Sequence, residues 1–295
     1  MGDQKGNSIR LDDGNWWVDE IGDFHSGDDI DDSFDSLFLR HLGQLKLQIC
    51  PKQIVITWDI HEISSDTIAY FIARLSQNQF HSRVLLRYYY YGWAEELYHG
   101  PNAIDTASQR MILIQRFKSV GLVHPTQVKE LDLFDLESAS PLIRRGFEMW
   151  HSTEGQYRNA SQDECCEHLP NVVIYRPDQN TGNLVFSWVG ARSLSMIVHG
   201  RKWAANVIRQ ASRNAQGSER QDYVTQVNSA YKQVWETGEP HYSSIRTLLT
   251  LEGKEPKWLS YQRLLMRYNL HDGLPALVCL SNQNSAVNIL PTDAT

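Results

Sequence analysis

Three strand-like runs close the chain, and their spacing constrains its fold more than any other feature. "HYSSIRTLLTL", "KWLSYQRLLMRY" and "LPALVCLSN" are rich in β-branched, aromatic and aliphatic residues and are separated by the short turns "EGKE" and "LHDG". A parallel crossover needs a dozen or more residues, so connections this short join antiparallel neighbours. Upstream, "LPNVVIYRPD" and "LVFSWVG" flank the turn signal "QNTGN" and read as a hairpin. Two strands, a group of helices and three further strands are arranged most economically as a five-stranded antiparallel sheet with its helices gathered on one face, if each element has one apolar side to bury.

The helices between the strands carry their own signals. In the stretch 184–210 the hydrophobic period changes from two to about three and a half at Gly190. Gly200 can then close the short helix "SLSMIV" in a left-handed conformation, and Ala204 and Ala205 allow the next helix a close approach. Farther on, Tyr223, Val227, Ala230, Tyr231 and Val234 share a helical face that Gly238 and Pro240 end. The polar insertion "VIRQASRNAQGSERQD" reads as a loop. Before the hairpin, "SPLIRRGFEMWHS" is a helix capped by Ser140 with Pro141 at its first position.

The first half alternates differently. "DSLFLRHLGQLKLQI" suggests a helix or helix–turn, "QIVITWDI" a buried strand, "SSDTIAYFIARLSQN" a helix capped by Ser64 or Ser65, "RVLLRYYYYGW" another strand, and "NAIDTASQRMILIQRFKSV" another helix. A short apolar stretch near "VKELDLFDL" follows. At 295 residues the chain is long for a single core. The expected organisation is an acidic, flexible arm over 1–36, a small α/β domain over 37–137, an α+β domain over 138–285 and a tail over 286–295.

Charge and cysteine usage narrow the function. The net charge is −7, and residues 1–40 hold eleven Asp or Glu against three Lys or Arg. The rest is nearly neutral, which leaves no broad basic face for a nucleic-acid partner. The run "GDDIDDSFD" lacks the ligand spacing of a calcium loop and reads as a solvated arm. Cys50, Cys165, Cys166 and Cys279 make no CxxC pair and no zinc spacing with histidine, so they read as buried reduced thiols. No apolar run reaches membrane-spanning length and the N-terminus lacks the apolar core of a secretory signal. The expectation is a cytoplasmic protein without a membrane partner.

Over about 140–285 the order of elements resembles the PAS sensory fold, and more narrowly the PAS-domain family of many alphaproteobacterial proteins. The resemblance rests on "FEMW", "LPNVVIYRPD", "FSWVGARSLSMIVHGR", "YKQVWETGEPHYSS", "YQRLLMRY" and "GLPALVCLS", arriving in order. It implies a sensory or regulatory role without catalysis: binding of a small ligand or a protein partner, with output through association. Helices flanking this fold often pair, which makes Pro141–Trp150 the expected homodimer surface. The first half resembles no family.

A roof of short helices over a curved sheet leaves room for a ligand-sized cavity. Trp188, Met196, Trp203 and Tyr261 could line it for an apolar or aromatic metabolite. Arg263, on the same strand face as Tyr261, would supply a counter-charge, and His199 lies next to Gly200. The plainer reading is that these aromatics complete a core, and a chain with that core filled would be a ligand-free structural adaptor. In haem-holding members of the family a roof-helix histidine binds iron, which would here be His199, but a helix-terminal histidine more simply bonds a carbonyl. Flavin adduct chemistry needs a cysteine soon after the glycine turn, where this chain reads "GRKWAANV". Haem and flavin are therefore not expected, and the cofactor stays open.

In the first half, "TWDIHE" places Asp59 and His61 on one strand face near Glu62, a set that could bind a metal or move protons in an enzyme. No HExxH, P-loop, nucleophile-elbow or dinucleotide pattern accompanies it. Tyr88 to Tyr91 read as strand residues with alternate rings in and out.

Overall fold

The structure, a computed structural model, describes residues 13–27, 35–76, 83–119, 121, 125–160, 167–178, 182–211, 221–251 and 253–284. Cys165, Cys166, acidic residues 28–34, turn residues 179–181 and residues 212–220 of the polar insertion lie outside the described residues. The chain divides into two compact units, one of 1–124 with 248–258 and 293–295, the other of 125–247 with 259–292.

The first unit contains β1 (Gly14–Val18), β2 (Phe24–Ser26), α1 (Asp35–Arg40), β3 (Leu45–Cys50), β4 (Gln53–Asp59), α2 (Ser65–Leu75), β5 (Arg83–Tyr89), β6 (Trp93–His99) and α3 (Ala103–Gln115). Its strand order is β2-β1-β3-β4-β5-β6. The acidic first segment carries one apolar run, Trp16 to Val18, and that run pairs antiparallel with β3 and buries Trp17 and Val18. The α2 crossover makes β4 and β5 parallel. Ser64 caps α2, its hydroxyl accepting from the Thr67 amide at 2.9 Å. Ile54, Ile56 and Trp58 of β4 and Val84, Leu86 and Tyr88 of β5 are buried, and α3 packs on β5 and β6.

The second unit contains β7 (Thr126–Leu131), a 3-10 turn (Leu133–Ser138), α4 (Pro141–Ser152), β8 (Val172–Pro177), β9 (Leu184–Val189), α5 (Leu194–Ala211) and α6 (Gln221–Thr237). β10 (His241–Leu249), β11 (Lys257–Asn269) and β12 (Pro275–Gln283) follow, the ends of β10 and β11 reaching into the first unit. The strand order here is β9-β8-β12-β11-β10-β7. Ser140 caps α4, accepting from the Ile143 amide, with Pro141 in the first turn.

The expected fold, a PAS-like five-stranded antiparallel sheet with helices on one face, is overturned. Hydrogen bonding links all twelve strands into one mixed sheet, and β7 extends the edge beyond β10. Helices cover both faces in the second unit. Ile143 and Met149 of α4 pack with Leu264, Met266, Val278 and Leu280, whereas Ala204 of α5 and Ala230 and Val234 of α6 pack with Leu265, Leu277 and Cys279. The cause lies in the strands themselves: Leu264–Met266 and Ala276–Leu280 are apolar and buried at every position, and a run apolar on both sides must be covered on both. The assumption of one apolar side per element fails there.

Gly200 breaks α5 at φ 82° and ψ 172°, dividing the expected pair of short helices. Among the described residues, no helix is long and apolar enough to cross a membrane.

Candidate functional site

The sheet face beneath α5 and α6 in the second unit carries a set of buried polar side chains. Along β11, alternation turns Tyr261, Arg263, Leu265 and Arg267 to this face. Opposite them on β12 stand Ser281 across from Arg263, Cys279 across from Leu265 and Leu277 across from Arg267. On β10, Ile245 packs with Tyr261 and Leu194, so the same alternation brings His241 and Ser243 to this side.

Arg263 is 1% exposed and its Cζ lies 5.3 Å from the Tyr231 ring centroid. The Tyr231 hydroxyl donates to Cys279 Sγ at 3.5 Å, and that sulfur lies 3.5 Å from Ser281 Oγ. Burial pushes the Tyr231 phenol well above its ordinary range, and the Cys279 thiol and Tyr175 act in the same direction. The phenol therefore remains a protonated donor at neutral pH. Burial holds His241 below the ordinary imidazole value, against the opposing pull of Glu130, whose Oε1 lies 3.4 Å from Nε2. Ser243 is fully buried, and its hydroxyl has no hydrogen-bond partner among the described residues. Tyr175, Phe186, Met196, Trp203 and Leu265 supply apolar surface around this set. Chemically, the arrangement offers a cation and hydroxyl donors in apolar surroundings, which suits retention of a partly apolar anion.

Four of the six sequence-expected ligand residues share this face. Met196 and Trp203 pack in the α5–α6 cluster, Tyr261 packs with Leu194 and Val198, and Arg263 lies against Tyr231. Trp188 does not join them. Ile174 pairs with Trp188 while Tyr175 pairs with Phe186, so Ser187 is the extra residue of a bulge that shifts the alternation by one. Phe186 consequently meets Trp203 under α5, while Trp188 is 46% exposed and donates Nε1 to the Leu169 carbonyl at 3.1 Å. His199 is exposed and stacks on Trp203 with ring centroids 4.6 Å apart. Sequence reasoning missed Tyr231, His241 and Ser243 as members of the polar set, and period two in "HYSSI" was the available signal for the last two.

In the first unit Asp59 is 4% exposed and ties the turn after β4, its Oδ1 accepting from the His61 amide at 2.8 Å. Burial raises its carboxyl pKa, opposed by that amide and by the charge of His61. The His61 ring faces Tyr90 and Tyr91, with centroids 5.6 and 5.0 Å away. Among the described residues, no three His, Cys, Asp or Glu side chains gather as metal ligands. Tyr88 and Tyr89 alternate across β5, but Tyr90 and Tyr91 leave the strand, Tyr91 with φ 55°. Comparison with protein families and with curated proteins finds no match to this chain.

Proposed function

We propose that this chain is a non-enzymatic sensory or regulatory protein of the cytoplasm whose second unit takes a small, partly apolar anion against the Arg263 face. The observation that carries this reading is the gathering of Arg263, Tyr231, Ser281 and the unpartnered Ser243 hydroxyl under a roof helix broken at Gly200. A buried hydroxyl without a partner is costly unless something completes it. A ligand shifts a conformational equilibrium only by its differential affinity for the two states, and the break in α5 is the joint at which roof and ligand would be coupled.

Output passes through association of a homodimer across the outer side of the Pro141–Trp150 helix, where Arg144, Arg145 and Glu148 are exposed. Native mass spectrometry of the purified chain tests the ligand reading, with a retained small molecule as the expected result. A spectrum of bare polypeptide, together with a melting midpoint unmoved by a panel of small aromatic and aliphatic carboxylic acids, overturns it. For association, light scattering of Arg144→Glu/Arg145→Glu is expected to give half the mass of the parent; an unchanged mass removes the α4 surface.

A further inference from the structure

A second site, independent of the first, is built into the open face of the first unit's sheet. Lys46, Thr57, Arg87 and Glu95 are consecutive lateral neighbours on β3, β4, β5 and β6. They face away from the α3 side, where Tyr88 and Glu96 lie. Thr57 is the short residue of this row, between two long cations, and a cavity of about 620 Å³ opens over it, walled on one side by α1 and on the other by Trp93 and Glu255. That volume is ample for a small metabolite.

The charged side chains around the cavity are unevenly shared. Lys46, 6% exposed, is matched by Asp35 at 2.7 Å. Arg40 lies between two carboxylates, Glu255 at 3.0 Å and Asp59 at 3.8 Å, and the Trp93 indole fixes Glu255 by donating to its other oxygen at 2.6 Å. Glu95, however, serves two cations: Oε1 takes Arg87 Nε at 3.1 Å and Oε2 takes Lys257 Nζ at 3.3 Å. One carboxylate is thus shared between two cations, and neither Arg87 nor Lys257 has it to itself. The Arg87 guanidinium gives Glu95 only its Nε–H, and its terminal amino groups hydrogen-bond no described residue. These groups form the planar fork that recognises carboxylate and phosphate.

We propose that this cavity binds a small oxyanion over Thr57, held by the Arg87 fork with Lys46 on the opposite flank and the Thr57 hydroxyl beneath. The shared chemistry is that of a carboxylate or a phosphate, and the fixed pairs around it orient whatever is attached to the anion. Isothermal titration of the full chain at constant ionic strength, with sodium phosphate in one arm and sodium acetate in the other, tests this. The expected result is saturable one-to-one binding in at least one arm, the tighter arm naming the oxyanion, with binding weakened about tenfold or more by Arg87→Gln or by Lys257→Gln. Lys232→Gln, at an exposed helical position of the second unit, leaves it unchanged. No saturable heat in either arm, or undiminished binding in both variants, overturns the proposal. Because Arg87 and Lys257 are 41% and 50% exposed, both variants keep the fold, which circular dichroism verifies. Arg263→Met, in the second unit, keeps this binding and so separates it from the ligand proposed there.

Discussion

Arg110 grips Glu96 through two parallel hydrogen bonds inside the first unit, Nε to Oε2 at 2.8 Å and Nη2 to Oε1 at 3.0 Å. Tyr88 donates to Oε1 at 2.6 Å and Tyr98 to Oε2 at 2.7 Å, so one carboxylate receives four donors on the covered side of the sheet. Burial alone would raise its pKa, but the Arg110 bonds and charge and the two hydroxyls outweigh burial and hold it below the ordinary range. Removing one member of such a set leaves the other charge buried and unpaired. Arg110→Met is expected to destabilise the protein by about 3–5 kcal/mol in urea denaturation. The double variant Glu96→Leu/Arg110→Met recovers much of that loss, since neither charge is then stranded.

The same carboxylate sets an acid limit. Its folded pKa lies below the unfolded value of about 4.3, so its stabilising contribution is complete above that pH and is lost as pH falls through the folded value. Glu96→Gln is expected to be less stable than the parent at pH 7 and to show a shallower fall in stability below about pH 4. Parallel stability curves for the two proteins over that range would contradict this.

Local chemistry made many elements legible from sequence, and non-local pairing hid the rest. Ser64, Ser140 and Pro141 announce helix starts because a cap acts within one turn, and the β8–β9 hairpin is written in its turn residues. The strand Thr126–Leu131 was harder to read: "TQVKEL" is polar on one side, and it is a strand because β10 offers it an edge more than a hundred residues away. Nor does any local period say that residues 248–258 return to the first unit, where Lys257 pairs with Trp93. In the candidate site, the aromatic residues were visible by type, but the bulge at Ser187 moves Trp188 to the other face, and a single extra residue leaves no compositional trace.

Gly190 is required by a close backbone approach. A Cβ there would lie 2.4 Å from the Pro170 carbonyl oxygen and 2.5 Å from that of Leu169, both main-chain atoms that cannot swing away. The approach also sets local hydrogen bonds, since the Gly190 amide donates to the Val172 carbonyl at 2.9 Å and the Ser193 hydroxyl to the Gly190 carbonyl at 2.7 Å. Gly190→Ala is expected to cost about 2 kcal/mol or more in chemical denaturation, through overpacking against rigid backbone. Equal stability of variant and parent would contradict this contact.

His168 makes the second unit acid-sensitive in a different window. It is 6% exposed, neither ring nitrogen has a hydrogen-bond partner among the described residues, and the ring packs on Tyr157 and against Gly146. Burial pushes its pKa down to about 4. Between its unfolded value of about 6.5 and that folded value the unfolded chain binds the proton and the native one does not, so stability falls as pH falls. The loss approaches about 3 kcal/mol near pH 4, above the range in which Glu96 protonates. His168→Phe keeps the ring volume and is expected to flatten the stability profile between about pH 6.5 and pH 4. A profile as steep as the parent's would assign the slope to another group.

Gly200 separates backbone geometry from packing. Its φ of 82° and ψ of 172° lie in a region almost confined to glycine, while a Cβ added there meets no atom within 4 Å. Gly200→Ala therefore acts through the main chain alone, either straining the break by about 1–3 kcal/mol or straightening α5. Gly238, which ends α6 at φ 76° and is equally open around its Cβ, provides the comparison. If the roof of the Arg263 face is coupled to ligand through the break in α5, Gly200→Ala lowers the fraction of protein carrying a retained ligand in native mass spectra, whereas Gly238→Ala, similarly strained, leaves that fraction unchanged. Equal retention in both variants would mean that the break is only a packing device and that the ligand does not act through it.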